Sequence, residues 1–349
     1  MKIALLTIWH AMNYGAELQA YATVKALKQL GHQVEMIDIR LSDCHKPNLN
    51  GKIGNIVSSF GPAHTKFEGF WKKYIPVTKR YCSIEELQND PPKSDVYMVG
   101  SDQVWNSDLT GDFAKLFFLD FGGNQVKRIS FASSFGTQQW RATHLTEDVS
   151  KLIGRFDYIG CREQSGVDIL RDTFKVPATL NIDPTLLFDQ YPELTGTLTP
   201  KRTLVCYPLS KDPDLIKYAQ VTASRLGLQM VNNKQTSTVL GRFRWDTVSI
   251  EDWIRNIAES QFVITRSFHG LVFSILYRKP FAIIANANNR STRLHNLLQQ
   301  LGLADRYFDS FHACDEAQPW NTSIDYDAAH DKLASLRNDS FDFLNKALR

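Results

Sequence analysis

Arg266, Ser267, His269 and Gly270 lie within one five-residue stretch, between an apolar run Phe262–Thr265 and a second apolar run Leu271–Tyr277. A guanidinium and a hydroxyl can hold an anion, an imidazole exchanges a proton near neutral pH, and a glycine clears space beside the backbone. The first run has the length of a buried strand, and the second has the length and spacing of a helix. Open α/β sheets bind ligands at such strand-to-helix turns, outside the carboxyl ends of their strands. A helix N-terminus there offers unpaired N–H groups and a positive dipole end. The turn therefore predicts an anionic substrate beside an acid/base histidine. Ser267 also reads as a good N-cap, and His269 as a residue that a helix start would hydrogen-bond.

The elements that must position this turn follow the grammar of a parallel sheet covered on both faces. Ile3–Ile8 reads as a strand, Asn13-Tyr14-Gly15-Ala16 as a turn, Ala16–Leu30 as a helix stopped at Gly31, and Val34–Ile39 as the next strand. Residues 45–94 mix Pro, Gly, Lys and aromatics and read as an insertion with short helices. Strands at Val96–Val99, Arg128–Phe135, Tyr158–Cys161 and Thr179–Ile182 each end in polar or small residues. A Pro-, Thr- and Gly-rich stretch, Asp189–Lys201, is the candidate linker. Beyond it come a strand at Thr203–Tyr207, a helix at Leu215–Leu226, a strand at Leu228–Val231, a helix at Ile250–Ser260 and a strand at Phe281–Ala285. Tyr326–Leu348 reads as one or two amphipathic helices. The expected fold is α/β, with two Rossmann-like domains facing across a cleft: residues 1–192 and 193–310, with 311–349 packing back.

Other residues fall at the same ends of these sheets. Arg290 and Arg293 follow the Phe281–Ala285 strand; they are either an anion grip or a polar loop opening the next helix. Arg162 and Glu163 end a strand of the first domain, where the arginine either completes an anion grip or holds the domain face by a salt bridge. Asn13, Tyr14 and Gly15 lack the GxGxxG spacing of a dinucleotide site, and their polar groups suit sugar hydroxyls. Ser101, Asp102 and Gln103 offer similar chemistry, with Trp105 as either a stacking platform or core. Asp183-Pro184 reads as a capped turn near the linker, outside the site.

At 349 residues the chain exceeds what one core usually supports. A net charge of +3 is too small for general nucleic-acid binding but compatible with a local basic pocket. The five cysteines are dispersed and form no CxxC pair, so neither a zinc site nor a disulfide framework is expected, and reduced cytoplasmic thiols are. The N-terminal segment reads as a first strand rather than a cleaved signal, and no run approaches the roughly 20 apolar residues of a membrane span.

Five motifs together resemble the polysaccharide pyruvyl transferase family: NYGAELQAYA at 13–22, GSDQVWN at 100–106, CREQSGVDIL at 161–170, DPTLL at 183–187 and TRSFHGLVFSILYRKPF at 265–281. The resemblance implies a fold of the two-Rossmann-domain (GT-B) glycosyltransferase kind. It implies transfer of a pyruvyl group from phosphoenolpyruvate to two hydroxyls of a sugar, giving a cyclic ketal. With that reaction, residues 1–192 read as the acceptor side and 193–310 as the donor side, His269 as the residue that gives and takes the proton, and Arg266, Ser267, Gly270, Arg290, Arg293 and Arg162 as candidates to hold the donor. Asn13, Tyr14, Gly15, Ser101, Asp102 and Gln103 would face the acceptor. Some members carry RLHG where this chain has Ser267-Phe268-His269-Gly270, and members with SFHG often have an acidic residue where Arg266 stands.

The expectation is a cytoplasmic enzyme of surface-polysaccharide assembly, with no metal and no cofactor, using phosphoenolpyruvate as donor substrate. Its acceptor is a glycan or a lipid-linked oligosaccharide, the latter bringing peripheral contact with the inner face of the membrane. Two alternatives stay open: a nucleotide-sugar glycosyltransferase of the same fold, and a non-catalytic glycan-binding protein. A glycosyltransferase would want an acidic residue after a late strand of the second domain to hold ribose hydroxyls, where this chain offers Asn and Arg.

Overall fold

The computed structural model describes residues 1–39, 62–208, 212–233, 247–285 and 291–349. The first half runs β1 (Lys2–Leu6), α1 (Tyr14–Gln29), β2 (Gln33–Ile39), α2 (Pro62–Tyr74), β3 (Val77–Tyr81), α3 (Ile84–Asn89), β4 (Val96–Val99), β5 (Lys127–Ser133), α4 (Thr146–Ile153), β6 (Tyr158–Cys161), α5 (Gln164–Ile169) and β7 (Thr179–Leu180). Its strands form a seven-stranded sheet in the order β3-β2-β1-β4-β5-β6-β7, and the pairings are parallel. The second half runs β8 (Thr203–Tyr207), α6 (Pro213–Arg225), β9 (Gln229–Asn232), α7 (Ile250–Glu259), β10 (Phe262–Thr265), α8 (Phe268–Leu276), β11 (Phe281–Ile284), α9 (Ser291–Leu301), β12 (Tyr307–Phe308), α10 (Phe311–Ala317) and α11 (Tyr326–Ala347). Its parallel sheet has the order β12-β11-β10-β8-β9. Two parallel α/β sheets with helices is the architecture expected of the sequence.

Strand order reverses between β1 and β4 in the first sheet and between β8 and β10 in the second. Crevices open outside the carboxyl ends of strands at such reversals. The turns at 13–15 and 100–106 stand at the first, and 266–270 at the second.

The apolar strands explain the layering. One face of each sheet contributes to a single buried cluster that also takes in α1, α2, α7, α8 and α11, while the opposite faces have cores of their own. The candidate linker is not an extended tether. Tyr191 and Leu194 are buried within it, and the Tyr191 N–H donates to the Tyr277 hydroxyl at 3.2 Å. The terminal helix α11 starts on the second half, where Arg278 pairs with Asp327 at 2.6 Å. It ends on the first, where Phe343 stacks on Phe131 at 6.2 Å and Lys127 donates to the Ala347 carbonyl at 3.1 Å.

Two departures from the sequence reading have simple causes. β3 went unread because only Tyr81 of its five residues is buried, as suits a sheet edge, so no apolar alternation marks it. α8 begins at Phe268 rather than Leu271, so His269 lies inside the first helical turn instead of ahead of it.

Candidate active site

Ser267 caps α8. Its backbone is extended, its Oγ accepts from the Gly270 N–H at 3.4 Å, and it is buried. The cap fixes the first turn of α8, which carries the buried His269. Gly270 is required by the strand below: a Cβ there would lie 2.5 Å from Thr265 Oγ1, whose hydroxyl donates to the Tyr207 carbonyl across the sheet. The clearance at Gly270 therefore serves packing of α8 on β10, whereas the sequence reading gave it to a ligand.

The same correction applies more strongly to Gly15. A Cβ at that position would stand 2.0 Å from His269 Nδ1 and 2.6 Å from Cε1. The space left by Gly15 is filled by the imidazole arriving from the other half. Tyr14 is fully buried, its ring stacks on Trp253 at 5.3 Å, and its hydroxyl donates to the Val248 carbonyl at 2.9 Å. It joins the two halves and offers no face to a sugar. Asn13 caps α1, its Oδ1 accepting from the Gly15 and Ala16 N–H groups at 2.9 and 3.3 Å. The first turn is thus a wall of the histidine site.

The other edge of His269 faces Asp183. Nε2 lies 3.7 Å from Asp183 Oδ2, longer than a hydrogen bond, and has no hydrogen-bond partner although buried. Asp183 is fully enclosed. Burial alone would raise its carboxyl, but His269, then Arg162, and the Thr185 hydroxyl outweigh it and hold the group well below the usual carboxylate range. Thr185 contributes its N–H and hydroxyl at 3.0 and 2.6 Å. An anionic carboxylate held this rigidly can orient an imidazole and balance its charge when protonated.

Arg162 stands behind Asp183. Its guanidinium donates to Asp183 at 2.8 Å and to Glu163 at 2.9 Å, and lies 3.7 Å from Asp102. Burial opposes its charge, but the three carboxylates reverse that and raise it. Arg162 is therefore committed to carboxylates of its own half, the salt-bridge alternative of the sequence reading. Ser101 is also drawn inward: its Oγ accepts from Arg162 at 3.4 Å and its carbonyl from Thr7 at 2.7 Å. Asp102 and Gln103 remain half-exposed, and Trp105 is buried against Phe118 at 5.3 Å, so it is core and not a platform.

Arg293 differs from the other arginines. It is half-buried at the start of α9 and lies over the Phe268 ring at 5.9 Å, with Arg162 over the same ring at 5.4 Å. It has no ion pair or hydrogen bond among the described residues. Burial first, and then repulsion from Arg162, holds its guanidinium below its ordinary value, yet an arginine stays charged. Glu163, Asp102 and Asp183 act on it from a distance, but no described residue pairs with it, and such a desolvated cation favours an anion that reaches it. Arg266, by contrast, pairs with Asp212 at 2.7 Å and lies over Phe311 at 5.5 Å. Arg290 lies outside the described residues.

Two connected cavities complete the site. One of about 380 Å³ is bordered by Arg162, Asp183, Phe268 and Arg293, and one of about 530 Å³ by Gln103, Trp140 and Arg293. Among the described residues no group of three or more His, Cys, Asp or Glu could hold a metal ion, and no helix is long and apolar enough to cross a membrane. Sequence reasoning passed over Asp183, Phe268 and Trp140. The signal for Asp183 was available, since Asp-Pro directly follows a strand of the first domain. Nothing local distinguishes Phe268 or Trp140 from core aromatics.

The fold is shared with structures of low sequence identity. A UDP-N-acetylglucosamine 2-epimerase from Rickettsia bellii superposes with a TM-score of 0.56 at 9% identity, covering 99% of this chain and 96% of its own. The UDP-GlcNAc 2-epimerase from Neisseria meningitidis, determined bound to UDP-GlcNAc, gives 0.51 at 11% identity, covering 100% and 99%. These likenesses concern architecture, which is GT-B-like. No curated protein sequence matches the chain. The sequence model of one family, described as polysaccharide pyruvyl transferase, matches residues 13–288, a span that takes in most strands of both sheets, Asp183 and the His269 turn. The chain belongs to the polysaccharide pyruvyl transferase family.

Proposed function

We propose that the protein transfers a pyruvyl group from phosphoenolpyruvate to two hydroxyls of one sugar of a cell-surface glycan or its lipid-linked precursor. The observation that carries this reading is Arg293, a half-buried cation not ion-paired by any described residue, over the Phe268 ring next to a histidine whose Nε2 has no hydrogen-bond partner among the described residues. An anionic donor that must be protonated uses both. His269 delivers a proton to the methylene carbon of the enolpyruvyl group, and the adjacent carbon becomes an oxocarbenium-like electrophile. The first sugar hydroxyl adds to that carbon and gives up its proton to the same imidazole. Phosphate then leaves with its electron pair, the second hydroxyl adds to the same carbon, and its proton goes to the phosphate. One proton is taken up on carbon, two leave the hydroxyls and one departs with phosphate, so the products are a cyclic ketal and inorganic phosphate.

Arg293 and the first N–H groups of α8 would grip the donor's phosphate and carboxylate, helped by the helix dipole. Asp183 holds the ring between the donor and the wall at Gly15. The reaction as written uses no cofactor. Incubating the protein with phosphoenolpyruvate and acceptors containing galactose, mannose or N-acetylmannosamine tests the reading through phosphate release and the mass of the sugar product. Phosphate release coupled to ketal formation is expected. Turnover of a nucleotide sugar, with phosphoenolpyruvate left intact by every acceptor, would overturn it.

A further inference from the structure

The larger cavity, about 530 Å³, lies on the far side of Arg293 from Asp183 and is built mainly by the first half of the chain. Its volume falls within the range of small-molecule pockets. Three backbone irregularities lie beneath it. Asp102 has φ of +71° and Gly136 of +66°, and Ala132, at +52°, sits where the β5–β6 register shifts. Bulges and left-handed residues of this kind re-aim side chains at the ends of strands. Here they bring the 136–141 loop onto Gln103 and Asn106.

The Asn106 amide donates to Gln103 Oε1 at 2.8 Å, which leaves the Gln103 NH2 group free of any partner among the described residues. A Cβ at Gly136 would lie 2.2 Å from that same Oε1, so the glycine makes room for the pair. Trp140 lines the cavity half-exposed. Its indole N–H is tied to Thr146 Oγ1 at 2.9 Å, and its ring edge-packs on Phe174 at 5.2 Å and Phe135 at 6.0 Å. The platform is therefore fixed before anything binds. Asn296, on α9, contributes a side-chain amide with no partner among the described residues.

Amides both donate and accept, as sugar hydroxyls do, and a fixed indole supplies an apolar face for a pyranose ring. The charged groups on the first-half wall are already paired: Asp108 with Arg141 at 2.8 Å, and Glu163 with Arg162 at 2.9 Å. Arg293, on the α9 wall of the same cavity, is not ion-paired by any described residue, so the lining does not exclude an acidic sugar. The cavity shares Glu163, Arg293 and Asn296 with the one that reaches Asp183 and Phe268.

We propose that the cavity bounded by Gln103, Gly136, Trp140 and Asn296 is the acceptor subsite, holding one pyranose unit through the free amides of Gln103 and Asn296 and the face of Trp140. The inference rests on the pyruvyl-transfer reading for what the bound sugar is used for, but its recognition chemistry is independent of the donor. Arg293 forms the wall between sugar and donor.

The test uses the full chain in two arms. Saturation-transfer NMR with methyl galactoside, methyl mannoside, methyl N-acetylmannosaminide and methyl glucuronide reads binding without phosphoenolpyruvate. At least one of the four glycosides is expected to bind. Binding should weaken about tenfold in Gln103→Leu and in Asn296→Leu, the order expected when one well-made hydrogen bond is lost. The second arm measures KM for acceptor and for phosphoenolpyruvate in the same variants, with circular dichroism to establish folding. A rise in acceptor KM at unchanged donor KM supports the subsite. Glycoside binding lost in the variants, with no phosphate released by any acceptor, keeps the subsite and sinks the pyruvyl reading. Normal turnover with acceptor KM unmoved in both variants overturns the subsite and leaves the reading intact. Binding of no glycoside also overturns it.

Discussion

The turns at Asn13–Gly15 and Arg266–Gly270 occupy equivalent places, each after a strand beside the order reversal of its sheet and each opening a side-chain-capped helix. Either one alone would pass for a ligand site. They meet in the folded protein, and they divide the work. The first gives up its open face, burying Tyr14 and leaving only a hydrogen atom at Gly15, so that the second can place His269 against it. A helix N-terminus in a two-domain fold is thus a binding site only if the opposing domain leaves it open. Here one half supplies the histidine and the other supplies its socket.

The buried carboxylates near the two turns show the same division. Glu17, in the first turn of α1, is fully buried and accepts from Trp71 Nε1 at 2.6 Å and the Ala11 N–H at 3.2 Å. Burial wins over those bonds and pushes it up to about 8. Asp183 is as enclosed, yet His269 and Arg162 hold it low. What separates them is a cation at hydrogen-bond or ion-pair distance, which Asp183 has and Glu17 lacks.

The sharpest way to break the comparison is to fill the socket. His269→Ala should cut turnover by about 10²–10⁴, the usual share of a general acid/base. Gly15→Ala should approach the same loss, because its methyl cannot coexist with the imidazole. The double variant distinguishes a displaced ring from a misfolded turn. With His269 already removed, Gly15→Ala should stabilise the protein by about 0.5–1 kcal/mol, the ordinary gain of alanine over glycine within a helix. Thermal denaturation of the four proteins checks this sign reversal. If Gly15→Ala remains destabilising without the histidine, the two turns are not a socket and its occupant.

Next in size is the contrast between free and committed arginines. Arg293→Ala should raise the KM for phosphoenolpyruvate about a hundredfold, as expected for loss of a charge-assisted contact, with little change in melting temperature. Removing a guanidinium that has no ion pair among the described residues strands none of their carboxylates. Isothermal titration of phosphoenolpyruvate into each variant separates donor affinity from turnover. Donor affinity unaffected by Arg293→Ala would move the grip to residues outside those described.

Much of the fold was legible, because apolar runs such as Phe262–Thr265 and Thr203–Tyr207 are buried on both faces and announce their strands at the right residues. The site was legible only where chemistry is local. The stretch 266–270 showed a cap and a histidine, and the structure has both. What escaped depends on distant partners. Asp183 looks like a turn cap until it lies 3.7 Å from His269, and Tyr14 looks like a sugar ligand until Val248 accepts its hydroxyl. No local pattern chose Trp140 over Trp105. The choice is made by Phe118 and the Phe117 carbonyl, which bury the latter.

The carboxylate contrast predicts a pH signature. Glu17 keeps its proton in the folded protein between its ordinary 4.5 and about 8, where the unfolded chain has lost it. Folding then binds a proton, and stability falls as pH rises through that window at a rate of about 1.4 kcal/mol per unit. The stabilisation is fully present below 4.5 and gone above about 8. Glu17→Gln should remove this slope, melting close to the parent at pH 5 and above it at pH 9. Asp183 has the opposite sign: its contribution is present above the ordinary 3.8 and declines as pH falls below it, so Asp183→Asn should flatten only the acid limb. Melting curves across both ranges would show whether the slopes belong to the assigned carboxylates.

The smallest effect is expected at Arg266, the arginine nearest His269 in sequence. Its guanidinium is paired with Asp212, which also caps α6 by accepting from the Leu215 N–H at 3.0 Å, and it lies over Phe311. These contacts turn it toward β8 and α10. Arg266→Ala leaves the Asp212 cap in place and removes a partly exposed ion pair, worth up to about 1 kcal/mol. Turnover and donor affinity should therefore stay within about threefold of the parent, since an uncoupled surface change alters free energy by roughly 0.5 kcal/mol or less. Side-by-side kinetics of Arg266→Ala and Arg293→Ala decide the matter. Equal losses would mean that the Arg266–Asp212 pair opens to receive the donor and that proximity in sequence was the better guide. A hundredfold gap would mean that an arginine's remaining partners, more than its place beside the histidine, determine which anion it can hold.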